Sequence, residues 1–349
     1  MTRIMNIKPT TLPLFDKEQI NSHTTETLVR LDLSEDLKAR ILPFCRLKYG
    51  DIWEDPISGH KVGVLDATKL GDVSKIMGGR KTELIINDPP YNVVVGNHNT
   101  VNLSKIELEN YLSFSRQWIQ NAYTVMSDDS HLYIWIGADL KGGFQPLPDL
   151  MILIREFQDL KPRNWITLRK QRGYGTQKNW MWVRQELLYY TKGNPGFNVE
   201  AEYTDIPKIL RGYYKRVNGV LTENLERSKS ENIRAGNVWV DIQQVFYRLE
   251  ENVPGCYAQK PLKAIERLVL SGSDEGDLIA DFFSHSGTTL IAGEKLNRKV
   301  YTFDLDPVFA ELTIRRLENY RKTGKTGWQW RNPFPELEEN TLEYQNDNR

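Results

Sequence analysis

Short apolar runs alternate with longer segments of helical spacing from about residue 61 onward. The apolar runs predict strands over residues 62–65, 84–86, 132–136, 165–168, 186–191, 278–282 and 299–304. The segments of helical spacing predict helices over residues 37–47, 105–126, 147–157, 261–271, 288–297 and 307–320. Strands that alternate with helices indicate an α/β fold, with a mostly parallel mixed sheet and helices on both faces.

The alternation stops over residues 193–258, which are polar and begin with the turn signal Gly-Asn-Pro-Gly. We therefore divide the chain into a main α/β domain and three other parts. The domain comprises residues 56–192 and 256–325, and residues 193–255 are an insertion. Residues 1–55 are predicted to be an extension outside the main sheet, and residues 326–349 to be an acidic tail.

The charge is balanced overall but is unevenly placed along the chain. The 349 residues contain 46 Lys and Arg and 46 Asp and Glu, which argues against a purely electrostatic coat for nucleic acid. Residues 155–192 are nevertheless basic, with nine Lys and Arg against three Asp and Glu. Five aromatic residues that lie among these charges are Trp165, Tyr174, Trp180, Trp182 and Tyr189. This segment is either a solvated surface over core aromatics, or a groove that holds phosphates and stacks bases.

Cysteine content and hydropathy narrow the class of protein. Cys45 and Cys256 are the only cysteines, which excludes a disulfide framework and a four-cysteine zinc site. No apolar run approaches the roughly 20 residues of a membrane span, and residues 1–16 lack the apolar core of a secretory signal. We expect a cytoplasmic protein without a membrane partner or a bound metal.

The first loop with chemical character is residues 87–92, Asn-Asp-Pro-Pro-Tyr-Asn, directly after an apolar strand. Ligands of open α/β sheets bind beyond the carboxyl ends of strands. Pro89 and Pro90 stiffen the loop, which fixes the Asp88 carboxylate relative to the Pro89 carbonyl. Two fixed acceptors suit the two hydrogens of a planar amino group, and Tyr91 offers a face on which a base can stack. The alternative is a prolyl turn that only ends a strand.

The second such loop is residues 281–289, Asp-Phe-Phe-Ser-His-Ser-Gly-Thr-Thr, between a predicted strand and a predicted helix. Its small residues and free backbone N–H groups allow a ligand to approach closely. Asp304 follows about 20 residues later at the end of the next strand, where an acid usually grips ribose hydroxyls. The unit therefore favours a nucleoside-type cofactor. The missing G-x-G-x-x-G argues against a dinucleotide and an NAD-linked oxidoreductase.

Together these loops resemble the β group of DNA amino-methyltransferases, which use S-adenosylmethionine. The family's target loop is (D/N/S)-P-P-(Y/F/W), which residues 88–91 match with Asp. Its cofactor loop reads D-P-F-x-G-S-G-T-T, and here Phe282 and His285 replace the proline and the first glycine. Because His tolerates positive φ better than most residues, we expect the turn to be retained. The Gln-Lys-Pro of residues 259–261 also matches the family.

The resemblance implies a circularly permuted, Rossmann-like methyltransferase fold, because the target loop precedes the cofactor loop. It implies a target-recognition region at residues 193–255, between the two halves of the catalytic domain. The implied catalytic residues are Asp88, Pro89, Pro90 and Tyr91. The implied cofactor-binding residues are Asp66, Ala67, Lys260, Asp281, Phe282, Phe283, Ser284, His285, Ser286, Gly287, Thr288, Thr289, Asp304 and Leu305.

The resemblance further implies site-specific methylation of double-stranded DNA at N6 of a flipped-out adenine. Neither cysteine lies in a Pro-Cys loop after a strand, which argues against carbon-5 cytosine chemistry. Asp with Tyr in the target loop favours adenine, whereas relatives that act on N4 of cytosine more often carry Ser. Methylation of N4 of cytosine, methylation of RNA or of a protein amide, and a catalytically impaired DNA-binding module stay open as alternatives.

The resemblance also bears on partners and on mobile parts. Members of this group often pair as dimers, so a homodimer is one expectation. The sequence holds no nuclease or ATPase motif, so any DNA cleavage requires a separate restriction endonuclease. Residues 92–104 are predicted to be a flap over the site. The candidate DNA contacts in the insertion are Lys208, Arg211, Lys215, Arg216, Arg227, Lys229 and Arg234.

Overall fold

The fold was analysed in a computed structural model of the chain. The structure describes residues 31, 34–90, 105–137, 146–174, 180–198, 203–207, 214–223, 232–243, 245, 249–329 and 331–337. Its strands are β1 (Ile52–Glu54), β2 (Lys61–Val64), β3 (Thr82–Asn87), β4 (Met126–Ile136), β5 (Lys161–Tyr174), β6 (Trp182–Lys192), β7 (Tyr203–Pro207), β8 (Tyr214–Val217), β9 (Val220–Glu223), β10 (Asn232–Arg234), β11 (Val238–Trp239), β12 (Leu278–Asp281) and β13 (Lys299–Asp304).

The helices have recognisable starts and ends. They are α1 (Glu35–Ile41), α2 (Leu70–Met77), α3 (Lys105–Val125), α4 (Pro146–Ile154), α5 (Leu262–Gly272), α6 (Thr288–Lys295) and α7 (Pro307–Thr323). The side chain of Asp306 caps α7 by accepting a hydrogen bond from the Val308 N–H, and Pro307 occupies the first turn. Gly324 then ends α7 in the left-handed conformation, which a glycine adopts without steric cost.

Nine strands form one mixed sheet in the order β1-β2-β13-β12-β3-β4-β6-β5-β11. Strands β2, β13, β12, β3 and β4 are parallel neighbours, and β6 lies antiparallel between β4 and β5. Two further two-stranded sheets, β10-β7 and β8-β9, come from the predicted insertion. The predicted α/β fold with a mostly parallel mixed sheet is therefore confirmed.

Helices cover both faces of the sheet, because successive side chains of a strand point to opposite faces. We call the face packed by α2, α3 and α4 the α3 face, and the face packed by α5, α6 and α7 the α5 face. In β3, Ile85 packs on the α3 face, whereas Leu84 and Ile86 pack on the α5 face. Strands buried on both sides read as continuous apolar runs, which explains why the sequence predicted them well.

The ladder register brings the chemical loops to one edge of the sheet. Ile85 pairs with Ala280, and Asp281 pairs with Thr302, so β3, β12 and β13 end at similar heights. Asn87, Asp281 and Asp304 are the last residues of these three parallel strands. The two loops singled out in the sequence therefore leave the sheet side by side.

A third hydrophobic cluster joins both ends of the described chain to α7. Its buried members include Leu37 and Ile41 of α1, Phe309 and Leu312 of α7, and Phe334. Ion pairs lie around this cluster. Arg46 bridges Glu311 and Glu318, and Arg315 bridges Glu311 and Glu336. The segments at both ends are thus packed onto the helix that follows Asp304.

Some sequence expectations need correction. Residues 1–55 were expected outside the main sheet, but Ile52–Glu54 pairs antiparallel with β2 as an edge strand. Three residues are too short to show an alternating pattern, so this strand left no periodic signal. The ribbon of β5 and β6 is also longer than predicted, because exposed basic residues continue both strands beyond their apolar parts. In the insertion, Val238–Trp239 pairs with β5 of the main sheet. None of the described helices is both long and apolar enough to cross a membrane.

Gly293 in α6 should be indispensable for the packing of that helix on β13. A Cβ added there would overlap the Val300 side chain, so Gly293→Ala should lower the free energy of unfolding by about 1–3 kcal/mol. Gly71→Ala in α2 is the matched control, because its Cβ meets nothing within 4 Å. That control should raise stability by about 0.4–1 kcal/mol in urea unfolding. Equal effects of the two substitutions would contradict the packing described.

Candidate active site

A hydrogen bond between the two loops organises the site. The fully buried Asn87 at the end of β3 accepts the Phe282 backbone N–H through Oδ1, at 2.9 Å. Asn87 and Phe282 are 195 residues apart in sequence. Pro89 is buried and Pro90 is exposed, so the prolyl loop leaves the sheet at this point. The bond fixes the start of the target loop against the start of the cofactor loop.

Asp88 is ion-paired with Lys260 from the segment before α5. The Lys260 ammonium donates a hydrogen bond to Asp88 Oδ2 and lies 5.5 Å from the centre of the Trp135 ring. The Asp88 side chain keeps 19% of its surface exposed, but its Oδ1 is covered and accepts no hydrogen bond from the described residues. One carboxylate oxygen is therefore engaged, while the other is available as an acceptor.

Two opposing influences act on Asp88. Burial raises the pKa of its carboxyl group, and the neighbouring Lys260 ammonium lowers that pKa. Burial is the larger influence, so the pKa of Asp88 lies above its ordinary value. Lys260 therefore favours the ionised form of a carboxyl group that its surroundings would otherwise keep protonated.

The cofactor loop forms a tight turn between β12 and α6. His285 has a φ of +43°, so the histidine adopts the left-handed conformation predicted for a residue at the family's glycine position. Gly287 has a φ of +71°, and a Cβ there would lie 3.0 Å from the Thr313 backbone. Asp304 Oδ2 accepts the His285 N–H at 3.0 Å, and the Phe303 carbonyl accepts the Ser284 N–H at 2.9 Å. The turn is thus tied to the end of β13.

Arg316 of α7 stabilises the cofactor loop through hydrogen bonds. Its guanidinium group is buried and donates to the Ser286 carbonyl at 2.7 Å and to Thr288 Oγ1 at 3.0 Å. It also donates to the Thr326 carbonyl at 2.7 Å. Burial lowers the pKa of Arg316 to about 10, which still leaves the group cationic near neutral pH. One side chain of α7 therefore joins the loop, the start of α6 and the segment after α7.

Buried carboxyl groups give the site an unusual charge balance. Burial is the main cause that raises the pKa of Asp281 to about 7, and the nearby Asp88 and Asp304 carboxylates contribute to this rise. Burial likewise raises the pKa of Asp304 to about 6. Asp281 Oδ1 accepts the Phe283 N–H at 3.0 Å, which partly offsets the cost of burial. This edge of the sheet therefore concentrates acidic groups, and a ligand with a positive charge would compensate them.

Half of the predicted site residues, nine of the eighteen, line one cavity. The predicted residues in its wall are Asp88, Lys260, Asp281, Phe283, Ser284, His285, Ser286, Thr288 and Thr289. The Phe282 side chain points away from this cavity, into the core, where its ring packs 4.9 Å from that of Phe303. Residues separated by almost 200 positions in sequence therefore meet around one space.

Asp66, Ala67 and Leu305 lie outside this cavity, at the next strand ends along the same edge. The Leu65 N–H donates to the Asp304 carbonyl at 3.0 Å. Asp66, the next residue, therefore lies near the end of β13. Asp66 Oδ1 accepts the Thr68 N–H and hydroxyl. Leu305 is 58% exposed, an apolar side chain beside these acids. Tyr91 and the predicted flap, residues 92–104, lie outside the described residues.

The sequence reasoning missed three residues that shape the site. Asn87 was included in the first loop without a role of its own, Trp135 was predicted only as a strand residue, and Arg316 only as part of a helix. Asn87 could have been noticed as a polar residue at the end of an otherwise apolar run. Trp135 and Arg316 gave no local signal, because their roles depend on which elements the fold brings beside them.

Comparison with known proteins identifies the family. A family model described as DNA methylase matches residues 82–315, which is most of the chain. The chain therefore belongs to the DNA methylase family, the N6- and N4-directed DNA methyltransferases. The match spans both loops and the elements between them.

Individual relatives are distant. Type II methyltransferase M.HpaI of Haemophilus parainfluenzae is 26% identical over 237 residues, 68% of each chain. DNA adenine methyltransferase YhdJ of Escherichia coli (strain K12) is 24% identical over 264 residues, 73% of this chain and 82% of its own. The structure of PvuII DNA methyltransferase (cytosine-N4-specific) has a TM-score of 0.51 at 12% identity, covering 76% of this chain and 89% of that one. This structural likeness shows a shared fold.

The buried Asp281 should make the stability of the ligand-free protein depend on pH. Its folded-state pKa of about 7 exceeds the ordinary 3.8, so the folded state binds more protons than the unfolded state between these values. Stability should therefore fall as the pH rises through this window. Urea unfolding at several pH values should show a smaller fall in Asp281→Asn. Asp274→Asn, which removes an exposed aspartate, should keep the original slope. An unchanged slope in Asp281→Asn would refute the assignment.

Proposed function

We propose that this chain is a site-specific DNA methyltransferase that transfers a methyl group from S-adenosylmethionine to N6 of adenine in double-stranded DNA. The observation that carries the proposal is the Asn87–Phe282 hydrogen bond, which holds Asp88 beside the cofactor loop. The family membership supports methyl transfer to DNA. The choice of adenine rests on the combination of Asp88 and Tyr91 in the target-loop sequence.

The residues at the site fit the proposed cofactor. Ser284 Oγ is buried and makes no hydrogen bond to the described residues, which leaves it available to a polar ligand. Because Gly287 has no Cβ, it adopts a positive φ and lets the turn approach Thr313, which a Cβ would contact. Asp304 and Asp66, at adjacent strand ends, are the acids that would hold the ribose and the adenine amino group. When bound, the cofactor supplies an electrophilic methyl group on a cationic sulfur.

Asp88 supplies the acceptor for the substrate's amino group. Its Oδ1 is buried and accepts no hydrogen bond from the described residues, whereas Lys260 occupies Oδ2. Together with the Pro89 carbonyl, Oδ1 can accept both hydrogens of a planar amino group, which directs the nitrogen lone pair toward the donor. The rigidity of the prolyl corner reduces the entropy lost in this alignment. Asp88 is also the group placed to receive the proton that leaves.

Residues 193–255 are proposed to recognise the DNA sequence. Of the candidate contacts, Arg216 and Arg234 have described side chains, and both are exposed. Lys208, Arg211, Arg227 and Lys229 lie outside the described residues, as does the side chain of Lys215. A flipped adenine would enter the site at a cost of a few kcal/mol of unstacking, which contacts from this region would offset.

Asp88→Ala should abolish methyl transfer and leave cofactor binding largely intact, because Asp88 engages the substrate rather than the turn. Tritium transfer from labelled S-adenosylmethionine to DNA measures the first property, and calorimetry measures the second. Asp88→Asn is the matched control for volume, and it should retain at most a small fraction of the activity. Near-normal transfer in Asp88→Ala would eliminate the mechanism.

Lys260→Met should shift the acidic limb of the pH–kcat profile to higher pH. The lysine lowers the pKa of Asp88, so its removal raises that pKa further and depletes the carboxylate at a given pH. Lys260→Arg keeps the positive charge and should restore much of the original profile. A profile that falls in amplitude without shifting would assign Lys260 to cofactor binding alone.

The identity of the methylated base can be tested directly. DNA exposed to the enzyme and labelled cofactor is digested to nucleosides, which are separated by chromatography. N6-methyladenine is the expected product. Label in N4-methylcytosine would leave the enzyme class unchanged and identify cytosine as the substrate base. Absence of label with intact cofactor binding would indicate an inactive DNA-binding relative.

A further inference from the structure

A fully buried glutamate fixes two exposed side chains on the ribbon formed by β5 and β6. Glu186 of β6 has no exposed surface. Its Oε2 accepts the Trp165 indole N–H at 2.7 Å and the Thr167 hydroxyl at 2.6 Å. Its Oε1 lies 3.0 Å from Nε of Arg184. Trp165 is nevertheless 41% exposed, and the Arg184 side chain is 56% exposed.

Two arginines stand directly opposite each other on this ribbon. The ladder pairs Arg169 of β5 with Arg184 of β6. Like charges at directly opposed positions destabilise a sheet. Glu186 compensates Arg184, but Arg169 is exposed and makes no ion pair within the described part of the chain. An external anion between the two guanidinium groups would relieve their repulsion.

Burial of the Glu186 carboxylate costs free energy of desolvation, and its contacts include side chains that lie partly outside the core. A buried carboxylate must recover its lost hydration through hydrogen bonds and ion pairs. Two of the groups that compensate Glu186 belong to Trp165 and Arg184, whose outer parts face solvent. An apolar residue would fill the same space without this cost. The arrangement therefore fixes the orientation of two surface side chains, one flat and one cationic.

The ribbon reaches the edge of the sheet that carries the active site. Glu186 pairs with Ile136, the last residue of β4, and Asn87 pairs with Ile134 of the same strand. Two strand spacings, or roughly 10 Å, separate β3 from β6. Arg169 and Arg184 lie two residues farther beyond this edge than Glu186. They therefore lie beyond the same edge of the sheet as the target loop.

We propose that Trp165, Arg169 and Arg184 bind the sugar–phosphate backbone of the DNA strand beside the target base, with Glu186 as the residue that positions them. Guanidinium groups bind phosphate oxygens in a bidentate manner, and an indole ring stacks on sugars or bases. This inference rests on the proposed function, because it assumes that DNA approaches the target loop. It assigns to the ribbon a role that the insertion alone would otherwise carry.

The phosphate contacts can be tested by DNA binding at several salt concentrations. The probe is a fluorescein-labelled 30-base-pair duplex of mixed sequence, followed by anisotropy. Replacing both arginines, in Arg169→Gln/Arg184→Gln, should lower affinity by roughly tenfold or more at about 0.1 M salt, and should reduce the salt slope by about two. The control Arg163→Gln changes an exposed arginine six residues earlier on β5, roughly 20 Å away, and should have little effect.

Glu186→Gln separates a positioning role from a simple effect of charge. Loss of a negative charge near DNA would by itself tighten binding. If Glu186 positions Trp165 and Arg184, the same substitution should weaken binding severalfold, with cofactor affinity and thermal unfolding close to those of the original protein. Tighter binding by Glu186→Gln would overturn the positioning role.

The outcomes also distinguish this inference from the proposed function. If the unmodified protein binds the duplex and methylates DNA, but the double variant keeps its affinity and salt slope, the backbone contact is wrong and the proposed function stands. If the unmodified protein neither binds nor methylates DNA, both are overturned. Circular dichroism of each variant shows whether a loss of binding reflects a loss of folding, and a folded Glu186→Gln then decides the question.

Discussion

The candidate site depends on one hydrogen bond, from the Phe282 N–H to Asn87 Oδ1. Each loop alone is a common type of strand ending. Joined by this bond, they bring Asp88 and the loop of residues 281–289 to the wall of one cavity. The bond lies among buried side chains, where loss of one partner leaves the other unsatisfied at a cost of about 1–3 kcal/mol. The positions of both loops are therefore determined together.

Electrostatics explains much of the remaining design. Three carboxyl groups, those of Asp88, Asp281 and Asp304, lie at neighbouring strand ends, and burial raises the pKa of each. Lys260 makes a direct ion pair with Asp88 and compensates its charge. A cationic methyl donor fits this excess of acidic groups, because it would restore the charge balance that the protein itself leaves incomplete.

Much of the fold followed from the sequence, and less of the site's geometry did. The central strands were predicted because both of their faces are buried, as in Leu278–Asp281, which leaves an uninterrupted apolar run. The edge strand Ile52–Glu54 was missed, since three half-buried or exposed residues carry no period. The two loops were identified from local motifs. The pairing of Lys260 with Asp88 could not be predicted, because it depends on how α5 approaches β3. The role of Arg316 depends likewise on a helix contact far away in sequence.

The guanidinium group of Arg316 has a consequence for the part of the chain after α7. One of its acceptors is the Thr326 carbonyl, and Gly327 lies so close to Glu251 and Asn252 that any side chain there would overlap them. The stretch after the last helix therefore packs against Arg316, which in turn holds the cofactor turn through the Ser286 carbonyl. Proteolytic removal of that stretch would uncover a buried cation and loosen the turn from below, although no residue of the reaction itself would be lost.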